Sequence, residues 1–114
     1  MSKLAHLIAQ EEGFYVPGSV PNRDDNPGDL RHSPHSDHPG DPDGIGVIDS
    51  VADGWADLER QLDLYAQRGL TLRGAIYEFA PPEDGNDTEQ YLNFVSTGLG
   101  CDPDIPMTQA LLIT

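Results

Sequence analysis

A long segment without helical periodicity interrupts the chain, and this segment limits the folds that the sequence can adopt. Residues 13–46 are dense in proline, glycine, asparagine and aspartate, and they predict irregular backbone with at most a short hairpin. On both sides of the segment, apolar residues recur at spacings of three and four, as they do in amphipathic helices. Because long irregular segments in compact domains usually carry function or remain disordered, this segment is expected to be either functional or disordered.

Four helices, a short fifth helix near the end and a small β element are predicted around this segment. The first helix has Ser2 as its N-cap and ends at Gly13, which can adopt the left-handed conformation. Gly98 and Gly100 are expected to end the fourth helix. The predicted elements are a helix over 2–12, a strand over 44–49, helices over 51–68, 72–79 and 88–97, and a short last helix around Met107 to Leu112.

The strand and the second helix supply part of the predicted core. In the strand, Ile45 and Val47 alternate with glycine and are predicted to face inward. On the second helix, Trp55 is interpreted as a core residue rather than a sugar-stacking platform. The apolar stripe of that helix consists of Val51, Trp55, Leu58, Leu62 and Tyr65. The predicted fold is therefore α+β and mainly helical, a single domain of residues 1–114 with four to five helices and a small β element between helices one and two.

Charge and composition exclude several classes of function. The formal net charge is −14, with only six lysines and arginines. Nucleic-acid binding needs clustered cations, so no nucleic-acid partner is expected. No apolar run is long enough to span a bilayer, so no membrane insertion is expected either. Cys101 has no intrachain cysteine to pair with, and the first residues lack the features of a signal peptide, so the sequence assigns no compartment.

Two carboxylates occupy an unusual place at the end of the first helix. Glu11 and Glu12 lie where the helix dipole disfavours negative charge, at a cost of roughly 0.3–1 kcal/mol each. They are either exposed side chains on a fraying turn or a sign that a cleft opens there. In a cleft, burial beside Phe14 and Tyr15 would raise the pKa of the glutamate, as a general acid requires.

The loop after this helix contains further carboxylates. Glycosidic cleavage needs a protonated acid at the leaving oxygen and a group that stabilises the sugar cation or activates water. Asp24, Asp25 and Asp29 either fold back over the same cleft to supply that second group or belong to an exposed acidic loop. In both cases Asn26, followed by proline and glycine, is expected to form a structured turn.

The remaining polar segments carry weaker signals. Residues 32–44 hold three histidines and three aspartates, but their spacing matches neither a zinc signature nor a calcium loop, so no metal or cofactor is expected. Arg23 and Arg31 either pair with local acids or hold the loop over the cleft. Before the fourth helix, Asn86 and Thr88 either belong to a helix stop and new cap or hydrogen-bond a polar ligand such as a sugar.

Five motifs along the chain together resemble a known group of domains. They are Glu-Gly-Phe at 12–14, Pro-Gly-Ser at 17–19, Arg-Asp-Asp-Asn-Pro-Gly-Asp-Leu-Arg at 23–31, Gly-Trp at 54–55, and Ala-Pro-Pro-Glu-Asp-Gly-Asn-Asp-Thr-Glu-Gln-Tyr at 80–91. In this order and spacing, they resemble the murein-degrading domains of the lysozyme-like superfamily found in bacteria and phages. The resemblance extends over nearly the whole chain.

The resemblance implies a lysozyme-like fold and cleavage of peptidoglycan glycan strands between N-acetylmuramic acid and N-acetylglucosamine. Members are hydrolases or lytic transglycosylases, and a transglycosylase needs one acid/base only, because the sugar's own 6-hydroxyl replaces water. Glu12 matches the catalytic acid, and Asp25 or Asp24 is the candidate second carboxylate of a hydrolase. The candidate substrate-binding residues are Tyr15, Asn26, Arg31, Asn86, Thr88 and Tyr91. A monomeric cell-wall-degrading enzyme without a cofactor is expected.

Two departures from the family pattern leave a second hypothesis open. Asp24, Asp25 and Asp29 stand where the family has asparagine, and the histidine-rich insert at 32–43 has no counterpart. Extra negative charge beside Glu12 would raise its pKa further and repel the peptide carboxylates of peptidoglycan. The second hypothesis is a non-catalytic acidic binding protein, either a lysozyme-like domain that only binds glycan or a nucleic-acid mimic that occupies a basic partner.

Overall fold

The computed structural model describes residues 1–37 and 44–114, and helices predominate in this part of the chain. The six α-helices found there are α1 (Lys3–Glu12), α2 (Val20–Arg23), α3 (Val51–Gln67), α4 (Leu72–Phe79), α5 (Thr88–Leu99) and α6 (Met107–Ala110). The antiparallel strands are β1 (Ser36–Asp37) and β2 (Val47–Ile48), with Ser36 opposite Ile48 and Asp37 opposite Val47. The mainly helical class predicted from the sequence is confirmed.

α1 lies at the centre of the helical core. The Ser2 side chain caps it by accepting a hydrogen bond from the backbone N–H of Ala5 at 3.1 Å. Gly13, with a φ of 82°, closes its C-terminal end as predicted. The apolar face of α1 packs against α3 and α5, and the apolar sides of α4 and α6 complete the core.

α1 and α5 approach each other closely at a glycine. A Cβ at Gly98 would lie 2.7 Å from a methyl carbon of Leu7, so only glycine fits there without a shift. Gly98 therefore lies inside α5, and the prediction that it ends the helix is wrong. Gly100, with a φ of 71°, ends it instead.

A short helix lies inside the segment that was predicted to be irregular. α2 begins after Ser19, whose side chain accepts a hydrogen bond from the backbone N–H of Asn22 at 3.3 Å. Pro21 stands in its first turn, where a missing N–H costs nothing. A cap and a proline are enough for a single turn of helix, which apolar periodicity cannot detect. The helix count in residues 1–37 and 44–114 is therefore six rather than four to five.

The small β element lies between α1 and the long helix α3, as predicted, but its inward side chains differ. Ile45 is buried as expected, whereas Val47 is only half-buried and Ile48 is the buried residue of β2. The predicted inward position of Val47 is therefore wrong. The reason is that the Gly46 N–H donates to the Leu30 carbonyl instead of a strand partner, so regular alternation does not run through this stretch.

Polar caps begin the three longer helices that follow. The side chains of Ser50, Thr71 and Asp87 each accept a hydrogen bond from a backbone N–H in the first turn of their helix. On the apolar stripe of α3, Leu58, Leu62 and Tyr65 are buried, whereas Val51 is exposed. Trp55 is partly buried and packs against the core, as predicted. In residues 1–37 and 44–114, no helix is both long enough and apolar enough to cross a bilayer.

Candidate active site

An open cleft of about 370 Å³ lies at the C-terminal end of α1. Its walls come from the end of α1, the loop after α2, the middle of α3, and the end of α4 with the turn that follows. Of the described residues, those that line it are Glu12, Gly28, Asp29, Leu30, Arg31, Ile45, Gln61, Tyr65, Glu78, Phe79, Ala80, Pro81, Asp84 and Asn86. The cleft therefore opens at the helix end where a cleft was one of the two alternatives that the sequence left open.

Glu12 lies in this cleft in a setting that favours its protonated form. Burial raises the pKa of its carboxyl to about 7, a hydrogen bond from Tyr91 opposes that rise, and the negative charges of Asp29 and Glu11 add to it. The Tyr91 hydroxyl donates to Oε2 of Glu12 at 2.8 Å. A carboxyl with a pKa near neutrality can hold a proton and release it at the same pH, as a general acid must.

The aromatic residues that bury Glu12 differ from those expected. Tyr91 is 3% exposed, so its hydroxyl is committed to Glu12 and positions that carboxyl rather than contacting a substrate. Tyr15 is 50% exposed and lies outside the described lining of the cleft. Tyr15 accompanies Phe14, Trp55 and His6 in an aromatic cluster, with its hydroxyl 2.7 Å from Nδ1 of His6.

The acidic loop places Asp29 in the cleft, whereas Asp25 and Asp24 are not among the described lining residues. Asp24 is buried, with its Oδ1 3.4 Å from Nε of Arg23. Asp25 and Asp29 both have a φ of 53°, a left-handed conformation that aspartate tolerates better than most residues. Of the three aspartates predicted from this loop, Asp29 is therefore the one that shares the cleft with Glu12, and Asp25 serves the turn.

Asn26 holds this loop in shape from the inside. Its side chain is fully buried, and its Nδ2 donates to the carbonyls of Leu30 at 2.7 Å and Gly46 at 2.9 Å. Its Oδ1 accepts from the Leu30 N–H at 3.0 Å. The loop also lies directly against α3, because a Cβ at Gly54 would collide with the Asp25 carbonyl. Asn26 thus builds the cleft wall and does not reach the substrate space.

The other predicted substrate contacts divide into two groups. Arg31 and Asn86 line the cleft, and Asn86 Nδ2 also donates to the Pro81 carbonyl at 3.1 Å. Thr88 is buried, and its hydroxyl donates to the Ala80 carbonyl at 2.6 Å, so it fixes the turn before α5. Of these three residues, Arg31 and Asn86 therefore lie where they can contact a ligand in the cleft.

Several residues that line the cleft could not be identified from the sequence. Gln61 and Tyr65 lie four residues apart on α3 and therefore share one face. The sequence offered one signal for Gln61, because it is a polar residue on a side of α3 that is otherwise apolar. Glu78 and Asp84 also line the cleft, but nothing in the sequence distinguishes them from the many other acids of this chain.

A buried carboxylate anchors the segment between the cleft loop and the sheet. Asp57 is 2% exposed and accepts hydrogen bonds from His35, at 2.9 Å from the backbone N and 2.6 Å from Nδ1. The hydrogen bond and charge of Asp57 raise the pKa of His35. Burial alone would raise the pKa of Asp57, but the hydrogen bonds that it accepts hold it below its ordinary value. His35 therefore has a structural partner.

The histidine-rich segment is only partly described. His38, Asp41 and Asp43 lie outside the described residues. Within residues 1–37 and 44–114, no group of three or more histidine, cysteine, aspartate and glutamate side chains is arranged to hold a metal ion.

Searches with protein-family models, among curated proteins and among solved structures each returned no match. A glutamate whose pKa is raised to about 7, held by a tyrosine in an open polar cleft beside a second carboxylate, can donate a proton to a leaving oxygen.

Proposed function

We propose that this chain is a lysozyme-like domain that cleaves the glycan strands of peptidoglycan with Glu12 as the general acid. One observation carries the proposal: three stretches that hold the resemblance to murein-degrading domains, far apart in sequence, line the same cleft. The first contributes Glu12 and the second contributes residues 28–31. The third contributes Ala80, Pro81, Asp84 and Asn86. Glu12 is also the group in that cleft whose pKa is raised to about 7, as proton donation at neutral pH requires.

In the proposed reaction, protonated Glu12 gives its proton to the oxygen of the glycosidic bond as the bond breaks. Positive charge then develops on the sugar, as in other glycosidases. Tyr91 donates to Oε2 of Glu12, which leaves the other oxygen to carry the proton. The same hydrogen bond stabilises the carboxylate that remains, because hydrogen bonds to a charged group favour the charged form.

The second step decides between two reactions. In hydrolysis, a water attacks the sugar and loses its proton to a carboxylate, and Asp29 is the residue proposed for that role in place of Asp25. In transglycosylation, the 6-hydroxyl of the same sugar attacks, its proton passes to Glu12, and a 1,6-anhydro ring forms. Transglycosylation therefore returns Glu12 to its protonated form directly. Hydrolysis leaves the proton of the water on Asp29, so Asp29 then releases that proton to solvent and Glu12 takes one up before the next cycle.

The test is digestion of purified peptidoglycan by the wild type and by Glu12→Gln, with mass spectrometry of the released fragments. We expect release by the wild type and a loss of about 10²–10⁴-fold in the variant, the usual contribution of a general acid. Glu11→Gln is the matched control, because it removes an exposed carboxylate from the same helix turn.

The products distinguish the two routes. Fragments ending in 1,6-anhydro-muramic acid would establish transglycosylation, whereas reducing ends would establish hydrolysis and make Asp29→Asn the next variant. Equal release by the wild type and Glu12→Gln would contradict the role of Glu12. No release by the wild type between about pH 4 and 8, a range that spans carboxyl and histidine titration, would favour a non-catalytic acidic binding protein.

A further inference from the structure

We propose that a flat aromatic surface outside the cleft binds sugar rings of the same neutral, β-linked glycan strand that the cleft cleaves. This surface, the aromatic platform, has Tyr15 and His6 on its open side and Trp55 and Phe14 behind them. The inference rests on the proposed function and adds a second contact with its substrate. Three observations carry it: two rings share one plane, neighbouring rings hold that plane in place, and its outer side is exposed.

Tyr15 and His6 form a single extended plane. Their ring planes differ by 15°, and their centroids lie 6.4 Å apart. The Tyr15 hydroxyl lies 2.7 Å from Nδ1 of His6, closer than the roughly 3.5 Å of van der Waals contact that separates the faces of stacked rings. The two rings therefore lie edge to edge, joined by a hydrogen bond, and present a surface two rings wide.

Trp55 and Phe14 support this plane from the protein side. The centroid of the Trp55 ring lies 5.2 Å from that of His6 and 6.5 Å from that of Tyr15, and Trp55 itself packs against the core. The buried Phe14 ring meets Tyr15 and Trp55 edge to face. Because these contacts fix the Tyr15 ring before a ligand arrives, binding a ligand costs little further side-chain entropy.

The outer side of the plane faces solvent. Tyr15 is 50% exposed, and His6 is exposed as well. Holding a side chain in one rotamer costs conformational entropy, and a ring face left in water gains none of the free energy that burial would return. An ordered aromatic surface that stays exposed is typical of a binding site rather than of core packing.

The flat shape and the charge of the chain together select the class of ligand. Sugar rings that are β-linked and equatorially substituted carry their axial C–H bonds on flat faces, which pack well against aromatic rings. Nucleobases are flat too, but they belong to polyanions, and a formal net charge of −14 repels those. A neutral glycan meets no such repulsion.

Polar groups at the edge of the platform suit the hydroxyls of a sugar. A phenol that donates to Nδ1 leaves the proton of the neutral His6 imidazole on Nε2, which can donate to a sugar oxygen. Gln10 is exposed one turn after His6 and therefore adds a neutral amide on the same face of α1. The platform thus combines an apolar face with uncharged hydrogen-bonding groups, as carbohydrate binding requires.

The platform lies near enough to the proposed acid for one long strand to contact both. Three peptide units join Glu12 to Tyr15, so their Cα atoms are at most about 11 Å apart. Glu12 lines the cleft, whereas Tyr15 and Trp55 are not among its described lining residues. Binding at the platform can therefore be measured separately from chemistry in the cleft.

The test uses Glu12→Gln, which removes the proposed acid and keeps the platform. Peptide-free, N-acetylated glycan strands are titrated while the emission of Trp55, the single tryptophan of the chain, is recorded. Because Trp55 contacts both rings of the platform, a saturable change in its emission indicates binding there. We expect affinities at about 20 mM and about 0.5 M salt to agree within about twofold, since contacts of neutral rings are not screened.

Variants in the same background locate the contact, with affinities measured by calorimetry. Tyr15→Ala and His6→Ala should each weaken strand binding by about tenfold, the size of one aromatic contact. Tyr15→Phe keeps the ring and loses the hydrogen bond to His6, so its loss should be smaller and still allows a test if the alanine variant does not fold. Phe94→Ala is the matched control, because it removes a 37% exposed ring from α5 and should leave binding unchanged.

The outcomes separate this inference from the proposed function. Cleavage by the wild type, together with equal strand binding by the platform variants and Phe94→Ala, would overturn the inference and leave the cleavage intact. Binding that depends on Tyr15 without cleavage by the wild type would support the inference and count against the proposed function. Undetectable binding of the strands, or binding that weakens by more than about twofold at high salt, would overturn the inference.

Discussion

Replacing Glu12 by glutamine should stabilise the folded protein at neutral pH while abolishing its proposed chemistry. The pKa of Glu12 rises from its ordinary value of 4.5 to about 7 in the folded protein, chiefly because burial disfavours its charge. Between these two values the folded state binds more protons than the unfolded state, so the stability of the wild type falls as pH rises. Glutamine has no proton to lose and escapes this cost.

The magnitude follows from the size of the pKa shift. A rise of 7 − 4.5 = 2.5 pKa units, at about 1.4 kcal/mol each, corresponds to about 3 kcal/mol of lost stability. The cost is absent below pH 4.5 and complete above about pH 7. The unfolding free energy of Glu12→Gln should therefore match the wild type at low pH and exceed it by about 3 kcal/mol at about pH 8.

Urea denaturation measures this difference in unfolding free energy across the pH range. Unfolding is monitored through the fluorescence of Trp55, the single tryptophan of the chain. Glu11→Gln is the control, because it removes an exposed carboxylate from the same helix turn, and its difference from the wild type at about pH 8 should be smaller than that of Glu12→Gln. A Glu12→Gln curve parallel to the wild type from pH 5 to 8 would refute the burial of Glu12 and, with it, the argument for a general acid.

Two further perturbations test the parts of the fold that shape the cleft. Gly54→Ala should lower the unfolding free energy by about 1–3 kcal/mol, because its Cβ would collide with the Asp25 carbonyl. The control, Gly74→Ala in the first turn of α4, has room for a Cβ and should be neutral or stabilising. Equal effects of the two variants in denaturant titration would contradict the close approach at Gly54. His35→Gln should lower the unfolding free energy most below about pH 6.5, because the raised pKa of His35 shows that its hydrogen bond to Asp57 is strongest when the imidazole is charged. The difference in unfolding free energy from the wild type should shrink as pH rises through the pKa of His35 in the folded protein. A difference that grows with pH in denaturant titrations would refute this sign.

The helices followed from local signals in the sequence. Ser50, Thr71 and Asp87 cap their helices because a cap needs only its own side chain and the backbone of the next turn. Gly13 ends α1 for an equally local reason, the left-handed φ that glycine tolerates. Val47 was misassigned because the paired strand consists only of Val47 and Ile48, and Ile48 is its buried residue; which residues pair depends on a distant stretch of the chain.

The sequence by itself also placed an acid at the end of α1, since the position of Glu12 relative to Gly13 is a matter of adjacent residues. Only the tertiary structure decided what surrounds that acid. Tyr91, 79 residues away, supplies its hydrogen bond, and Asp29 rather than Asp25 shares its cleft. The reason is physical: the buried amide of Asn26 determines how the acidic loop folds, and its carbonyl partners lie on two separate stretches of backbone. Such partners come together only when the chain is packed, and no pattern within one stretch of sequence records them.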